Sequence, residues 1–227
     1  MVLFLKEHRD VVCYFLSYQK LYIVIVLLII HMYKKIKFTE NTLRVLSLFT
    51  NDFNREYYVR EVKRLLKISP RTAQLILEDL EDKGIIESKT KGKIKIFKLN
   101  PSEFTKRYLI FVEQYKVIAF LEKKLLIKEI IEKVAPHIKG IGIIFGSHVK
   151  GLEKEGSDLD IFIVGSYNND EIKKISKTLG IEISIKCYPL KTFEKNIKKD
   201  ILLKEILKNH VVFLNVEQFI QKVFKNG

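Results

Sequence analysis

The sequence predicts an α+β protein with two small domains joined by a helix. Residues 38–99 have the pattern of three short helices followed by two alternating strands. Residues 101–135 carry apolar side chains at helical spacing, and in residues 136–227 apolar strands alternate with helical segments. With 227 residues, of which 47% are hydrophobic, the chain is long enough to build a core in each domain.

Residues 1–31 form a hydrophobic extension whose role the sequence leaves open. Residues 21–30 are an unbroken apolar run, but Gln19 and Lys20 separate it from the apolar stretch before it. The run is shorter than the roughly 18 residues typical of a membrane span. Three interpretations remain: a membrane anchor, a helix packed on the rest of the protein, or an extension upstream of a natural start at Met32. We therefore predict no firm membrane partner.

The net charge indicates the kind of partner, and the cysteines indicate the cellular compartment. The formal net charge is +14, which favours a polyanionic partner such as nucleic acid. Cys13 and Cys187 stand alone, without the paired spacing of a zinc site or a disulfide framework. This cysteine usage predicts a cytoplasmic protein.

The first domain is delimited by helix-capping and turn residues. Thr39 can cap the first helix, and 58–67 is expected to form the second. Ser69 and Pro70 predict the start of a third helix, which ends near Gly84. Two strands follow around a turn at Gly92. The expected buried positions of the helices are Leu43, Leu46, Phe49, Val59, Val62, Leu65, Leu66, Ala73, Ile76, Leu77 and Leu80.

This order resembles the MarR-like branch of winged helix-turn-helix domains, carried by the strings YYVREVKRLLKISPRTAQLILEDLEDKGIIESK and IKIFKLN. The resemblance implies a homodimer that places the start of its third helix in the major groove of DNA. The candidate base-reading residues are Arg71, Thr72 and Gln74. Lysines around the turn, above all Lys91 and Lys93, are candidates for phosphate contacts. The alternative is a module that mediates protein contacts only.

Residues 101–135 are predicted to form a connecting helix that ends at Pro136. Its apolar residues follow three- and four-residue steps, so one face is expected to be buried. The helix could pack the two domains together or pair with its copy in a dimer. The expected buried stripe is Leu109, Val112, Tyr115, Ile118, Leu121 and Leu125.

The strongest chemical signal is the string GIGIIFGSHVKGLEKEGSDLDIFIV at residues 140–164. Asp158 and Asp160 are separated by one residue at the start of a strand, so both side chains point to one face. Carboxylates held this close repel each other and suit a site where divalent cations neutralise them. Gly146 and Ser147, at the end of the preceding strand, allow a phosphate to approach the backbone and a hydroxyl.

The string resembles minimal nucleotidyltransferases of the polymerase-β-like superfamily, in the spacing from Gly-Ser to Asp-x-Asp and in the strand on either side. The resemblance implies a small mixed sheet that binds ATP with two Mg²⁺ ions. It assigns Asp158 and Asp160 to the metals, Gly146 and Ser147 to phosphate, and Lys150 to the triphosphate. His148 is interpreted as a loop residue.

The family's third carboxylate comes from the neighbouring strand, which is expected to start at Ile181. Alternation along this strand places Glu182, Ser184 and Lys186 on one face. Glu182 is the only carboxylate among them, and we predict that it is the third catalytic and metal-binding residue. An alternative register would place Ser184 at that position.

Standalone relatives of this type, the MntA-type antitoxins, transfer AMP from ATP to a tyrosine of a partner toxin and release diphosphate. The resemblance therefore implies a protein adenylyltransferase with a DNA-binding module. A second interpretation is a transcriptional regulator whose catalytically weak transferase domain senses nucleotide. A third is a small-molecule nucleotidyltransferase like those that inactivate antibiotics.

Overall fold

The computed structural model describes residues 38–224 of the chain. The interpretations of residues 1–31, together with Cys13, therefore lie outside the described residues. Within residues 38–224, no helix has the length and apolar character needed to cross a membrane. The part of the chain from Glu40 onward forms one compact unit.

The first region has the predicted order of three helices and a hairpin. Ser69 caps the third helix by accepting a hydrogen bond from the Thr72 backbone N–H at 3.0 Å, and Pro70 follows at the first helical position. Gly84, with a φ of 69°, adopts the left-handed conformation just beyond its end. The elements are α1 (Glu40–Asn51), α2 (Val59–Leu66), α3 (Pro70–Asp82), β1 (Ile86–Lys91) and β2 (Ile94–Leu99).

The buried faces of these helices differ from the predicted ones at four positions. Leu65 is 44% exposed, and three other predicted positions are only half-buried: Val59, Leu66 and Ile76. The buried face of α2 turns instead toward Val62 and Glu61, whose carboxylate is paired with Arg55 at 2.6 Å. An apolar pattern does not reveal a buried face that includes a paired glutamate.

The predicted connecting helix of residues 101–135 is wrong in one respect, because the segment forms two helices. These are α4 (Glu103–Leu121) and α5 (Leu125–Val134). The charged residues 122–124 offer no apolar side chain to bury, and the Lys124 N–H bonds to the Leu121 carbonyl three residues back, which ends the helix. Ile118 and Leu125 of the predicted stripe are exposed.

The second region contains a four-stranded mixed sheet. Its strands lie in the order β5-β4-β3-β6, with β4 and β5 parallel and the other pairs antiparallel. This confirms the predicted small mixed sheet of an α+β protein. After a 3₁₀ turn (Ala135–His137), the elements are β3 (Ile138–Ile144), α6 (Ser147–Lys150), β4 (Leu159–Tyr167), α7 (Asn169–Leu179), β5 (Ile183–Tyr188), α8 (Leu190–Asn196), α9 (Ile201–Lys208), β6 (Val211–Leu214) and α10 (Val216–Val223).

The two faces of β4 have different tasks because its side chains alternate. Ile161 and Ile163 belong to a buried cluster with Ile130 of α5 and Ile172 of α7. Asp160 and Phe162 point to the opposite face, where the ring of Phe162 lies 6.3 Å from that of Phe193 in α8. The core on one face thus fixes the strand that carries an aspartate on the other.

Candidate active site

The turn after β3 brings the backbone against the Asp160 carboxylate. The Phe145 N–H donates to the Asp160 carbonyl at 3.1 Å, which joins the turn to the start of β4. Gly146 has a φ of 77°, and a Cβ at this position would overlap Asp160 Oδ2. Glycine is therefore required twice, once by its conformation and once by the approach of the carboxylate. Ser147 follows as the first residue of α6.

Asp158 and Asp160 form an acid pair whose charge is incompletely compensated. Burial raises the pKa of Asp160 above its ordinary value, and the Asp158 carboxylate raises this pKa further. Interaction with Ser184 and the charges of His148 and Lys186 oppose this shift, but the net direction is upward. A bound cation would relieve this repulsion.

The strand register places Ser184 directly beside Asp160. These two residues are partners in the parallel pairing of β4 and β5. Glu182 is exposed and precedes β5, which begins at Ile183 instead of the predicted Ile181. The backbone carbonyl of Glu182 accepts a hydrogen bond from the Leu159 N–H at 2.8 Å. Among residues 38–224, no three His, Cys, Asp or Glu side chains form a group that could hold a metal ion. Glu182 therefore does not complete a three-acid cluster with the two aspartates.

The oxygen donors that are present still suit one divalent cation. Asp158 and Asp160 offer carboxylates, and the Ser184 hydroxyl lies beside them. Hard oxygen ligands with two negative charges are the donor set that Mg²⁺ prefers, and Mg²⁺ commonly keeps water in its remaining positions. The site fits Mg²⁺ with the two aspartates as its anionic ligands.

The cations around this site are not arranged as predicted. Lys150, expected to contact a triphosphate, is paired with Glu205 of α9 at 2.6 Å. His148, interpreted as a loop residue, has its Nε2 3.2 Å from the Ser157 carbonyl, and its charge acts on Asp160. Lys186 also acts on Asp160, from two residues beyond Ser184 on the same face of β5. Strand alternation could have suggested Lys186 as a candidate, whereas the position of His148 depends on the short helix α6, in which it lies instead of in a loop.

The loop between α6 and β4 is held by one contact with a neighbouring turn and by one hydrogen bond within the loop. Glu153 forms an ion pair with Lys124, which lies in the turn between α4 and α5. The Ser157 hydroxyl accepts a hydrogen bond from the Lys154 N–H at 2.8 Å, immediately before Asp158. These contacts hold the segment that leads into the acid pair, which favours a preorganised site.

The candidate DNA-contacting residues lie in two places, α3 and the β1–β2 turn. Arg71 is exposed in the first turn of α3, whereas Gln74 donates to Glu78 at 2.8 Å. The Thr72 hydroxyl lies 2.8 Å from that of Ser69. Lys91 and Lys93 are exposed at the turn, while the neighbouring lysines are paired, Lys89 with Glu56 and Lys95 with Glu81.

Comparison with known proteins finds a family likeness in the C-terminal part of the chain. Residues 123–225 match the family model of the nucleotidyltransferase domain. The C-terminal part of the chain therefore carries a nucleotidyltransferase domain. The match begins before α5, so it includes the second half of the predicted connector, whose Ile130 and Ile131 are buried with the sheet.

Outside this match, the chain has little likeness to known proteins. No curated protein matches it. A solved structure of TrmBL2, described as an archaeal chromatin protein with a novel mode of DNA binding, is similar at 18% sequence identity. The likeness covers 75% of this chain and 70% of that one, with a TM-score of 0.26.

Proposed function

We propose that this protein transfers AMP from ATP to a hydroxyl group of a partner protein. The supporting observation is the packing of the Gly146 turn against an acid pair in a region that matches the nucleotidyltransferase domain. The acceptor we propose is a tyrosine of a partner toxin, on the basis of the resemblance to adenylylating antitoxins. The β1–β2 turn and α3 would bind DNA in the same protein.

Each residue of the site has a task in this reaction. Asp158 and Asp160 would hold Mg²⁺. Gly146 allows the backbone to approach the triphosphate, and the Ser147 hydroxyl donates to a phosphate oxygen. Mg²⁺, when bound, neutralises charge on the triphosphate and on the leaving diphosphate.

The reaction exchanges one bond to the α-phosphorus for another. The acceptor oxygen bonds to this phosphorus while the bond to the bridging oxygen of the β-phosphate breaks, and diphosphate leaves. The proton of the acceptor hydroxyl passes to water. The anchored loop before Asp158 keeps the acid pair in position during the exchange, so little reorganisation is required.

The test is transfer of label from ATP carrying a radioactive α-phosphate. The full-length chain is incubated with this ATP, Mg²⁺ and a cell lysate, and label on protein is measured before and after nuclease and protease treatment. We expect protease-sensitive, nuclease-resistant label that disappears when the metal is chelated. Nuclease-sensitive label would replace the protein acceptor with a nucleic acid, and absence of both label and diphosphate release would refute the transfer activity.

A second function, nucleotide sensing by a DNA-binding regulator, is favoured by the placement of Ser184. A neutral hydroxyl beside Asp160 supplies less charge for metals than a third carboxylate would. For this function we expect ATP to bind without diphosphate release and to change the affinity for duplex DNA. Calorimetry and a mobility-shift assay with and without ATP distinguish it from transfer.

A further inference from the structure

The segment from α8 to α9 carries lysines whose charge its own acids do not compensate. Each acidic residue of the segment is engaged elsewhere. Glu194 pairs with Lys222 at 2.8 Å, and Glu205 pairs with Lys150 at 2.6 Å. Asp200 caps α9 by accepting the Leu203 N–H at 3.0 Å. Within residues 38–224, no ion pair involves Lys195, Lys198, Lys199, Lys204 or Lys208.

These lysines line a continuous concave surface, which we call the lysine groove. One cavity of about 390 Å³ is bordered by Lys198, Lys204 and Lys208. An adjoining cavity of about 590 Å³ is bordered by Lys195, Lys198 and Lys199. Both share Lys198 and the loop after α1, which contributes Phe53 and Asn54. The groove therefore runs between the first region of the chain and the C-terminal helices.

The floor of the lysine groove is apolar and partly accessible. Phe53 and Ile197 are half-buried, and both border the two cavities. Leu207 also borders the first cavity, together with one carboxylate, Asp52. A ligand that fits this surface carries negative charge along its length and presents flat apolar groups between the charges.

Neither site described above includes these lysines. Lys204 is next in sequence to Glu205, which pairs with Lys150 of α6, but Lys204 itself borders the groove. The expected duplex contacts of Lys91 and Lys93 lie at the opposite end of the β1–β2 hairpin from Leu99, which borders the groove. The lysine groove is thus a separate basic surface.

We propose that the lysine groove binds single-stranded nucleic acid. Lysines along a groove can follow a phosphate backbone, while an aromatic and aliphatic floor accepts unpaired bases that a duplex would hide. A small phosphorylated ligand is a poorer fit, because such sites place a few polar groups within an enclosed pocket, whereas these lysines are exposed. An acidic protein segment would leave the floor without flat groups to contact.

The test is fluorescence anisotropy with a labelled single-stranded oligonucleotide of roughly 20 nucleotides, longer than the usual site of one such domain. The full-length chain is titrated without ATP or Mg²⁺, so the result does not depend on transfer activity. We expect Lys204→Ala with Lys208→Ala to weaken binding about tenfold and to reduce the slope of log affinity against log salt by about 1.4.

Lys173→Ala with Lys177→Ala is the matched control. Both pairs are exposed, lie four residues apart on a helix and remove the same charge, but α7 packs on the other face of the sheet. We expect this control to change affinity by less than about twofold. Equal weakening by both pairs, or loss only with Lys91→Ala and Lys93→Ala, would overturn the proposal. Stronger competition by poly-glutamate than by unlabelled oligonucleotide would replace nucleic acid with an acidic protein.

Discussion

Two acidic sites of this molecule have carboxylates whose pKa values are shifted in opposite directions. Glu113 in α4 is completely buried, yet its pKa is lowered to about 2. Asp160 in β4 is only partly buried, and its pKa is raised. Burial alone would raise both. The difference shows that the surrounding charges, more than depth, separate a carboxylate that holds the fold from one available to a ligand.

The cationic groups around Glu113 explain why its pKa is lowered although the side chain is buried. Lys116 Nζ lies 2.8 Å from Glu113 Oε1, and the buried His210 Nε2 lies 3.4 Å from Oε2. The same ammonium group reaches the side chains of Thr50 at 3.3 Å and Asn51 at 3.4 Å, both in α1. This cluster joins α1, α4 and the turn before β6, so its charges connect the first region with the sheet. Asp158 and Asp160 have no comparable cationic partner at ion-pair distance in the described part of the chain.

The largest expected effect is loss of transfer when the acid pair loses a charge. Asp158→Asn or Asp160→Asn should reduce the transfer rate more than about a thousandfold, because each removes an anionic metal ligand. The same change relieves repulsion, so we expect the thermal unfolding midpoint in metal-free buffer to stay constant or rise. Radiolabel transfer and calorimetric unfolding measure the two effects.

Asp170→Asn is the matched control, since Asp170 is an exposed aspartate in the first turn of α7. It should leave transfer within about twofold. Parental transfer by the Asp158→Asn, Asp160→Asn double variant would show that the site is wrongly assigned.

Glu113→Gln should have the opposite effect to the aspartate variants, because it should lower the stability of the fold and leave the acid pair intact. Removing one partner leaves the Lys116 charge buried and unpaired, so the free energy of unfolding should fall by roughly 3 to 5 kcal/mol. Urea unfolding measures this loss. Glu129→Gln breaks a half-exposed Glu–Lys pair of the same 2.8 Å length and should cost less than about 1 kcal/mol. Equal losses for the two variants would contradict the comparison.

Much of the fold follows from signals that are local in the sequence. Ser69 and Pro70 mark the start of α3, and Gly84 marks its end, because caps and left-handed residues act within a few positions. Errors arise where buried faces contain charge. The stripe predicted for α4 includes Ile118, whereas the helix turns its face toward Glu113 and Val117. Glu113 looks like a surface residue until the distant His210 is brought beside it.

The candidate site could likewise be predicted only in part from the sequence. The sequence predicts a turn at Gly146 and a common face for Asp158 and Asp160, because a turn and strand alternation are local signals. It does not predict the contact of Gly146 with Asp160. It also does not predict the neighbour of Asp160 in β5, since alternation gives the face of Ser184 and Glu182 but not the register against β4. The pairing of Lys150 with Glu205 was also hidden, because it depends on the packing of α9.

The buried cluster of Glu113, Lys116 and His210 should also make the stability of the protein depend on pH. Burial and the Lys116 charge lower the pKa of His210 more than Glu113 raises it, so the unfolded chain binds the proton more readily. Stability should fall as pH drops below about 6.5, the ordinary value for histidine. Below about 4.5, protonation of Glu113 in the unfolded chain should remove a further contribution on the order of 3 kcal/mol as pH approaches 2.

His210→Gln separates these two titrations. It should lower stability at pH 7 but flatten the dependence between pH 7 and 5, while the loss below pH 4.5 through Glu113 remains. Urea unfolding at several pH values measures both slopes. An unchanged slope between pH 7 and 5 would assign that titration to the other histidines of the chain.

The smallest expected effects concern the two candidates for the third position in the acid site. Ser184 is the register partner of Asp160 and lowers its pKa, so Ser184→Ala should reduce transfer by roughly tenfold, the effect of one hydrogen bond to a charged group. Glu182 is exposed and outside a three-acid group, so Glu182→Gln should change transfer by less than about twofold. Both rates are measured at saturating ATP, with ATP affinity measured separately by calorimetry. A loss of orders of magnitude for Glu182→Gln with unchanged ATP affinity would restore Glu182 as the third catalytic carboxylate. That result would require the Glu182 side chain to turn toward Asp158, the residue it would face if the β4–β5 pairing continued by one step. The acid pair would then gain a third ligand that comes together with it only when the metal is bound.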